Sequence, residues 1–501
     1  VNLSEMVDLN ARKLGSQACL RYNGRTITFS MLKENAEKAA ALLQSWGVGR
    51  GDKVALMSLN TPAYVIGFFG AAKAGASVVP VNHKLMAPEV EYILEHSGAK
   101  IFLFDGALAA VAAQLTSSIK KVSLDSDVSG YARFETEMEA APLLTPMEIR
   151  DDDPAEILYT SGTTGKPKGC VHTHANVIFA GITGALVTKM DDQDRLLMAM
   201  PIWHSSPLNN WFMAAQFVGA CTVLLREYHP LHFLQTVQDE RCTVYFGAPI
   251  SYIMPVQMLP HFDSFDLTSM RCWIYGGGPI SSDVARMLAA KYKSDNFYQV
   301  YGMTESGPTG TVLLPREQLV KAGSIGSKAL PGADLKVMKT PEEEAAPGET
   351  GEIWLKADSM MKGYYNNPQA TADALHQGWY KTGDVARVDQ DGYLFIVDRL
   401  KDMIVTGGEN VYSKEVEDAI VAHAGIMEAA VIGKPHPQWG ETILAIVVPK
   451  PEGAPDEEAL KAFLAERLAK YKIPREIVFA EALPHTPTGK VTKFTLRKQY
   501  R

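Results

Sequence analysis

Residues 159–169, YTSGTTGKPKG, place three glycines, three threonines, a serine and two lysines in eleven positions. They follow a strand-like run, Glu156-Ile157-Leu158. Such a loop binds anions well. Small residues let backbone N–H groups approach a phosphate, hydroxyls add donors, and Lys166 and Lys168 supply charge. The alternative is a flexible surface loop, which the density of hydroxyl, glycine and lysine disfavours. A nucleotide P-loop needs four residues between its glycines and a Ser or Thr after its lysine. Here two residues separate Gly162 from Gly165, and Pro167 follows Lys166, which argues against a P-loop kinase or GTPase.

A phosphate loop needs rigid elements on either side. The first hundred residues alternate between helical and strand patterns. Ser30 is the expected cap of a helix running to Trp46, with Leu32, Ala36, Ala39, Ala40 and Leu43 on one face and Gly47 as its stop. Residues 53–59, 77–81 and 100–104 are expected strands; Pro62 opens a helix to about Ala74, and 88–96 form another. Short connections between them imply mostly parallel sheets with helices on both faces, an α/β fold. Residues 334–398 turn β-rich, with strand-like pieces ADLKVM, GEIWLKA and GYLFIV between Gly-, Pro- and acid-rich turns. In the last hundred residues, 429–432 and 443–448 are expected strands. Asp456 caps a helix carrying Leu460, Phe463, Leu464 and Leu468, and Glu466 and Lys470 are placed as an i,i+4 pair. The expected division is a body over 1–398, a hinge at 399–402 and a small α+β domain over 403–501.

With 501 residues, 46% hydrophobic and 21% charged, the chain is ordinary for globular proteins. Disorder, collagen and coiled-coil rods are excluded. A net charge of −8 argues against nucleic acid as a partner, which would select a basic surface. Five cysteines without a C-x-x-C pair suggest free thiols in a reducing, cytoplasmic setting. The most apolar stretch, 64–81, is interrupted by Lys73 and Pro80, so no transmembrane segment is expected. A homodimer and a peripheral membrane contact both stay open.

The sequence resembles the adenylate-forming superfamily of acyl- and aryl-CoA ligases, peptide-synthetase adenylation domains and luciferases. The resemblance runs in order from about Ser30 to Lys490. After the loop come Pro201-Ile202-Trp203-His204, Gly276-Gly277-Gly278-Pro279, QVYGMTE at 299–305, YKTGD at 380–384, DRLKD at 398–402, TGGEN at 406–410 and PTGK at 487–490. It implies ATP, Mg²⁺ and coenzyme A as reaction partners. Thr160, Ser161, Gly162, Thr163, Thr164, Gly165, Lys166 and Lys168 would hold the β and γ phosphates. Tyr301 would stack on adenine, with Gly276–Pro279 on the other face and Gln299, Gly302 and Met303 beside it. A flat ring and a backbone without side chains suit the two faces of a base. Thr304 would touch the α-phosphate, and Glu305 with Thr160 would bind Mg²⁺, which prefers hard oxygens and bridges to phosphates. Asp384 would accept both ribose hydroxyls, and Arg399 would meet ribose or phosphate. Trp379 is expected to pack rather than contact ligand.

The resemblance also implies a two-step reaction. Lys490 would stabilise the charge that grows as a carboxylate attacks the α-phosphate. A rotation about Lys401 would then withdraw Lys490 and present Thr406, Gly407, Gly408 and Glu409 to the CoA arm. Gly408 has two readings, a simple tight turn or a passage that only glycine leaves open to a thiol-bearing arm. His204 likewise is either a structural loop histidine or a border of the acyl pocket. Ile202, Trp203, Asn209, Asn210, Trp211, Gly276, Gly277, Gly278 and Gly307 would line that pocket. The set is apolar, so a medium- or long-chain fatty acid or an aromatic acid is the expected substrate. A free-standing enzyme that loads a carrier-protein thiol is the alternative.

Overall fold

The computed structural model describes residues 1–160, 166–278, 280–406, 409–437, 440–468, 470–485 and 491–500. By contacts the chain divides into two compact units. One comprises Val1–Leu335 with Leu355–Tyr380, the other Lys336–Trp354 with Lys381–Arg501. Residues 399–402 lie inside the second unit.

The first unit is built on two large sheets. In one, Lys53–Met57, Ser77–Pro80, Ile101–Phe104 and Lys120–Ser123 run parallel, and Pro154–Thr160 joins Ser77–Pro80 in the same sense. Alternation along these short strands sorts their side chains. Val54, Leu56, Val78, Ile101 and Leu103 enter one core, while Ala55, Met57, Val79, Phe102, Phe104 and Ile157 enter another, under the helix Ala87–Ser97. The second sheet aligns Cys221–Leu224, Arg195–Met198, Val244–Gly247, Cys272–Gly276 and Phe297–Tyr301 in parallel. Leu196, Met198 and Ile274 point to the core shared with the first sheet, and Leu197, Tyr245, Trp273 and Tyr275 to a separate aromatic core. The shared core also takes Leu32, Ala36, Ala39, Ala40 and Leu43 from the helix Phe29–Ser45.

That helix is capped by Thr28, whose hydroxyl accepts from Met31 N, and not by Ser30. Thr28 is the last extended residue, whereas Ser30 already lies within the helix and cannot take the cap conformation. Thr61 in turn caps Pro62–Lys73, with Pro62 in the first turn.

In the second unit, Leu394–Arg399 pairs antiparallel with Trp379–Val388, a strand that begins at the end of the first unit. A five-stranded sheet follows, centred on Ile426–His436 and Gly440–Pro449, with Glu476–Phe479 parallel to the latter. Asp456 caps Glu457–Ala465 as expected, and Leu460 and Leu464 are buried. The expected Glu466–Lys470 pair does not form. The helix stops at Ala465, and Glu466 pairs with its neighbour Arg467 at 3.3 Å. Among the described residues no helix is long and apolar enough to cross a membrane, and all five cysteines are free and buried.

Candidate active site

The strands Pro154–Thr160 and Lys168–Thr173 pair antiparallel, with Thr160 opposite Lys168. The hairpin therefore presents both ends of the glycine-rich loop at one edge. Ser161–Gly165 lie outside the described residues. An aromatic cluster supports the returning arm: the Tyr92 hydroxyl donates to Pro167 O at 3.2 Å, and Lys166 Nζ sits 5.5 Å from the Tyr92 ring centre. His96 Nδ1 bonds the Tyr159 hydroxyl at 2.7 Å and stacks on Tyr92. Lys168 Nζ lies 4.3 Å over the ring of Tyr364, a cation–π contact.

Tyr364 ties this edge to the predicted metal ligand. Gly363–Tyr364 pairs with the Lys168–Thr173 strand, and the Tyr364 hydroxyl donates to Glu305 Oε1 at 2.9 Å. Burial and the Glu305 charge raise the phenol pKa, so it stays a donor. Met361 N donates to Glu305 O at 2.9 Å, fixing the backbone as well. Thr304 Oγ1 meets Ser205 Oγ at 3.0 Å. Tyr364 stands 59 residues from Glu305, so no local motif links the two; the tandem Tyr364-Tyr365 after Gly363 is the single local signal. Glu305 and Thr160 are hard-oxygen donors beside the loop. Among the described residues no group of three or more His, Cys, Asp or Glu side chains could hold a metal. That donor set fits an ion held by one carboxylate and by substrate phosphates, as Mg²⁺ usually is.

The residues expected to hold adenine end adjacent parallel strands, where ligands bind open α/β sheets. Gly276 is opposite Val300 and Tyr275 opposite Gln299. Gln299 is buried and its side-chain oxygen accepts from the Tyr275 hydroxyl at 3.2 Å, so it braces the strand from within. Gly277 has φ +79°, Tyr301 is half-buried, and Pro279 lies outside the described residues. A Cβ on Gly302 would overlap the Pro308 carbonyl, which explains glycine there. Met303 N donates to Ser306 Oγ at 3.1 Å, closing the turn that carries Thr304 and Glu305.

The residues expected along the acid pocket are largely engaged with the protein itself. Ser206–Phe212 forms a π-helical turn, a geometry common at functional sites. Within it Asn209 is fully buried and donates to Glu156 Oε1 at 2.5 Å. Asn210 accepts from Ser206 Oγ at 3.2 Å, and Trp211 stacks on Phe246 with ring centres 5.4 Å apart. Trp203 is buried and its indole N–H donates to His83 Nδ1 at 2.8 Å; burial lowers the His83 pKa, which keeps it an acceptor. His204 is exposed next to Trp203. Gly307 has φ +75° and a Cβ there would overlap the Ser359 carbonyl.

Asn60, which no sequence motif marks, holds the Ile202–Trp203 loop. Its Oδ1 accepts from Ile202 N at 2.8 Å, and its Nδ2 lies 3.2, 2.9 and 3.0 Å from the carbonyls of Met198, Met200 and Leu225. It thereby joins the end of Lys53–Met57 in one sheet to the ends of Arg195–Met198 and Cys221–Leu224 in the other.

In the second unit, Asp384 and Arg399 are cross-strand partners and form an ion pair at 2.9 Å. Asp384 N donates to Thr382 Oγ1 at 3.0 Å. The neighbouring Asp398 accepts from Ser413 N and Oγ, anchoring the helix Ser413–Val421. Lys401 is exposed, and Asp402 pairs with Arg497 at 2.7 Å. Thr406 is buried opposite Glu409 in a short hairpin. Gly407, Gly408 and Lys490 lie outside the described residues.

Residues 7–365 match the family described as AMP-binding enzyme, and residues 415–490 the AMP-binding enzyme C-terminal domain. The long-chain-fatty-acid–CoA ligase FadD13 of Mycobacterium tuberculosis is 37% identical over 475 residues, covering 95% of this chain and 93% of that one. The feruloyl-CoA synthase of an Amycolatopsis species is 36% identical over 496 residues, 98% and 97% of the two chains. The crystal structure of ATP-bound MatB from Rhodopseudomonas palustris is similar with a TM-score of 0.88 and 29% identity, covering 100% of this chain and 99% of that one.

Proposed function

The chain belongs to the AMP-binding enzyme family, and we propose that it joins an apolar carboxylic acid, fatty or aromatic, to coenzyme A in two steps. It is an AMP-forming acyl-CoA synthetase that uses ATP and CoA. In the first step a carboxylate oxygen attacks the α-phosphorus of ATP and the bond to the bridging oxygen breaks. Pyrophosphate leaves and an acyl-adenylate remains. In the second, the CoA sulfur attacks the acyl carbonyl, its proton goes to solvent, and AMP departs. Adenylation is needed because a carboxylate is a poor electrophile.

We assign the residues as follows. Lys166 and Lys168, with the hydroxyls and amides of 160–165, meet the β and γ phosphates. Thr304 orients the α-phosphate, and its contact with Ser205 fixes the hydroxyl. Glu305, held by Tyr364, would bind Mg²⁺ with Thr160. When bound, that ion offsets phosphate charge. Lys490 would stabilise the charge developing in adenylation, and residues 406–409 would admit the thiol. Asp384 and Arg399 would hold the ribose, with 399–402 as the pivot between steps. Ile202, Trp203 and the π-helical turn would form the acid-binding wall. The observation that carries this assignment is the Lys168–Tyr364–Glu305 cluster, which puts a cation and an anchored carboxylate beside the phosphate hairpin.

The test is a panel of fatty and aromatic acids with ATP, offered CoA or a pantetheinylated carrier protein, scoring AMP and thioester. Acyl-CoA from an apolar acid is expected. Acylation of the carrier without CoA ligation would overturn the acceptor, and turnover confined to polar acids would overturn the substrate class.

A further inference from the structure

The strand that enters the phosphate loop buries a carboxyl group that neither step uses. Glu156 is 0% exposed and stands four residues before Thr160. Its Oε1 accepts from Asn209 Nδ2 on the π-helical turn. Its Oε2 and Asn209 Oδ1 have no hydrogen-bond partner, nor has the hydroxyl of Tyr64. Three elements face it. Helix Pro62–Lys73 brings Tyr64, strand Lys168–Thr173 brings the cross-strand partner His172 with Cys170 nearby, and Ser206–Phe212 brings Asn209. None supplies a positive charge. Burial pushes the His172 imidazole down to about 4, so it is neutral near pH 7. Burial pushes the Glu156 carboxyl up to about 7, against the pull of Asn209. The His172 ring nitrogens, like the Tyr64 hydroxyl, also lack partners, and of the two acceptors Oε2 and Asn209 Oδ1 neither receives a hydrogen bond; one proton would pair them with each other. On Oε2 it becomes a donor that an amide oxygen accepts. An apolar residue of similar volume would fill the space without an ionisable group, but would not fix the direction of the turn.

We propose that Glu156 is a positioning residue that works as a neutral carboxylic acid: paired with Asn209, it locks the π-helical turn to the strand leading into the phosphate loop and so holds the acid-binding wall in register with the phosphates. The inference rests on the reading above that this turn walls the acid site.

The experiment compares wild type, Glu156→Gln and Glu156→Leu in steady-state kinetics, with separate KM values for the carboxylic acid, ATP and CoA between pH 6 and 9. Gln carries an N–H where the acid carries its proton. It should keep the wild-type acid KM at pH 6 within about twofold, whereas Leu should raise it roughly tenfold, the effect of one lost directional hydrogen bond. ATP and CoA KM should stay put. The wild-type acid KM should climb as pH rises past about 7, and the Gln variant should stay flat. Equal loss in Gln and Leu, or a Leu variant with the wild-type acid KM, would overturn the proposal. So would a parallel rise of all three KM values, which marks a merely structural role. If Leu fails to fold, the pH profiles of wild type and Gln decide alone: identical profiles refute it. A wild type that ligates no acid at all would instead refute the functional reading, and is seen before any variant is compared.

Discussion

Replacing Asn60 with alanine should weaken the first unit and the acid site together. The side chain is 2% exposed and serves one backbone N–H and three carbonyls. Two amide hydrogens shared among three oxygens, plus the accepted bond from Ile202, amount to about three hydrogen bonds. Met198 O keeps its bond from Leu225 N. The truncation therefore strips the part-buried Met200 O and Leu225 O and the buried Ile202 N of this partner. At about 1 kcal/mol per net bond for about three bonds, with about 1 kcal/mol more for the buried Ile202 N–H left without a partner, the loss is about 4 kcal/mol. Urea unfolding followed by tryptophan fluorescence reads it as a shifted first midpoint at unchanged slope. Trp203 follows Ile202 directly, so the released loop should also raise the acid KM while leaving the ATP KM in place. Asn60→Asp, which keeps the oxygen for Ile202 N but loses both donors, should fall between wild type and alanine only if its carboxyl is protonated. A destabilisation below about 1 kcal/mol for alanine would refute the claim that this one side chain joins the two sheets.

Glu156→Gln should grow more stable relative to wild type as pH rises. The folded carboxyl titrates near 7 against about 4.5 unfolded, so its stabilising protonation is complete below the unfolded value and is lost as pH climbs through the folded one. The difference should reach about 3 kcal/mol above pH 7; a pH-independent difference in unfolding midpoints would contradict it. Tyr364→Phe removes the donor to Glu305 and should raise the Mg²⁺ concentration for half-maximal rate several-fold, about 1 kcal/mol; an unchanged Mg²⁺ titration would count against the anchor. Gly307→Ala meets both a positive φ and the Ser359 carbonyl, and should lower the thermal midpoint by the equivalent of about 2 kcal/mol or more; an unchanged midpoint would show that the turn relaxes. Lys490→Ala should abolish acid-dependent pyrophosphate exchange yet spare thioester formation from supplied acyl-adenylate, and equal loss of both would remove its assigned role.

What could be seen in the sequence is what is local. Pro62 and the apolar run after it specify a helix within a few residues, and the unbroken apolar run Ile101–Phe104 specifies a strand buried on both faces. The strand before the glycine-rich loop was legible because strand, loop and lysines are contiguous. Errors arose where two neighbours compete for one role, as Thr28 and Ser30 do for a cap, or where a helix ends one turn early, as at Ala465. The residues that no local pattern singles out, Tyr364, Asn60 and Glu156, bond to partners far away in the chain. Asn60 meets Ile202 across 142 residues, and Asn209 meets Glu156 across 53. Nothing in the composition around Glu156 distinguishes a buried acid from a solvated strand residue; only the sheet register and the turn above it do.

The five buried cysteines have a consequence for an enzyme whose intermediate and product are both acyl donors. An acyl-adenylate or a thioester transfers its acyl group to any thiolate it meets, and a protein thiol would capture it as a dead-end adduct. Burial raises the pKa of Cys19, Cys170, Cys221, Cys242 and Cys272 alike, so none offers a thiolate near neutral pH. Cys170 is the sharpest case, one residue past Gly169 and opposite Leu158 on the hairpin that carries the glycine-rich loop. Its side chain turns into the core with Met361 and Tyr364. The enzyme thus keeps its own sulfur chemically silent, so that the acyl group is left for a foreign thiol.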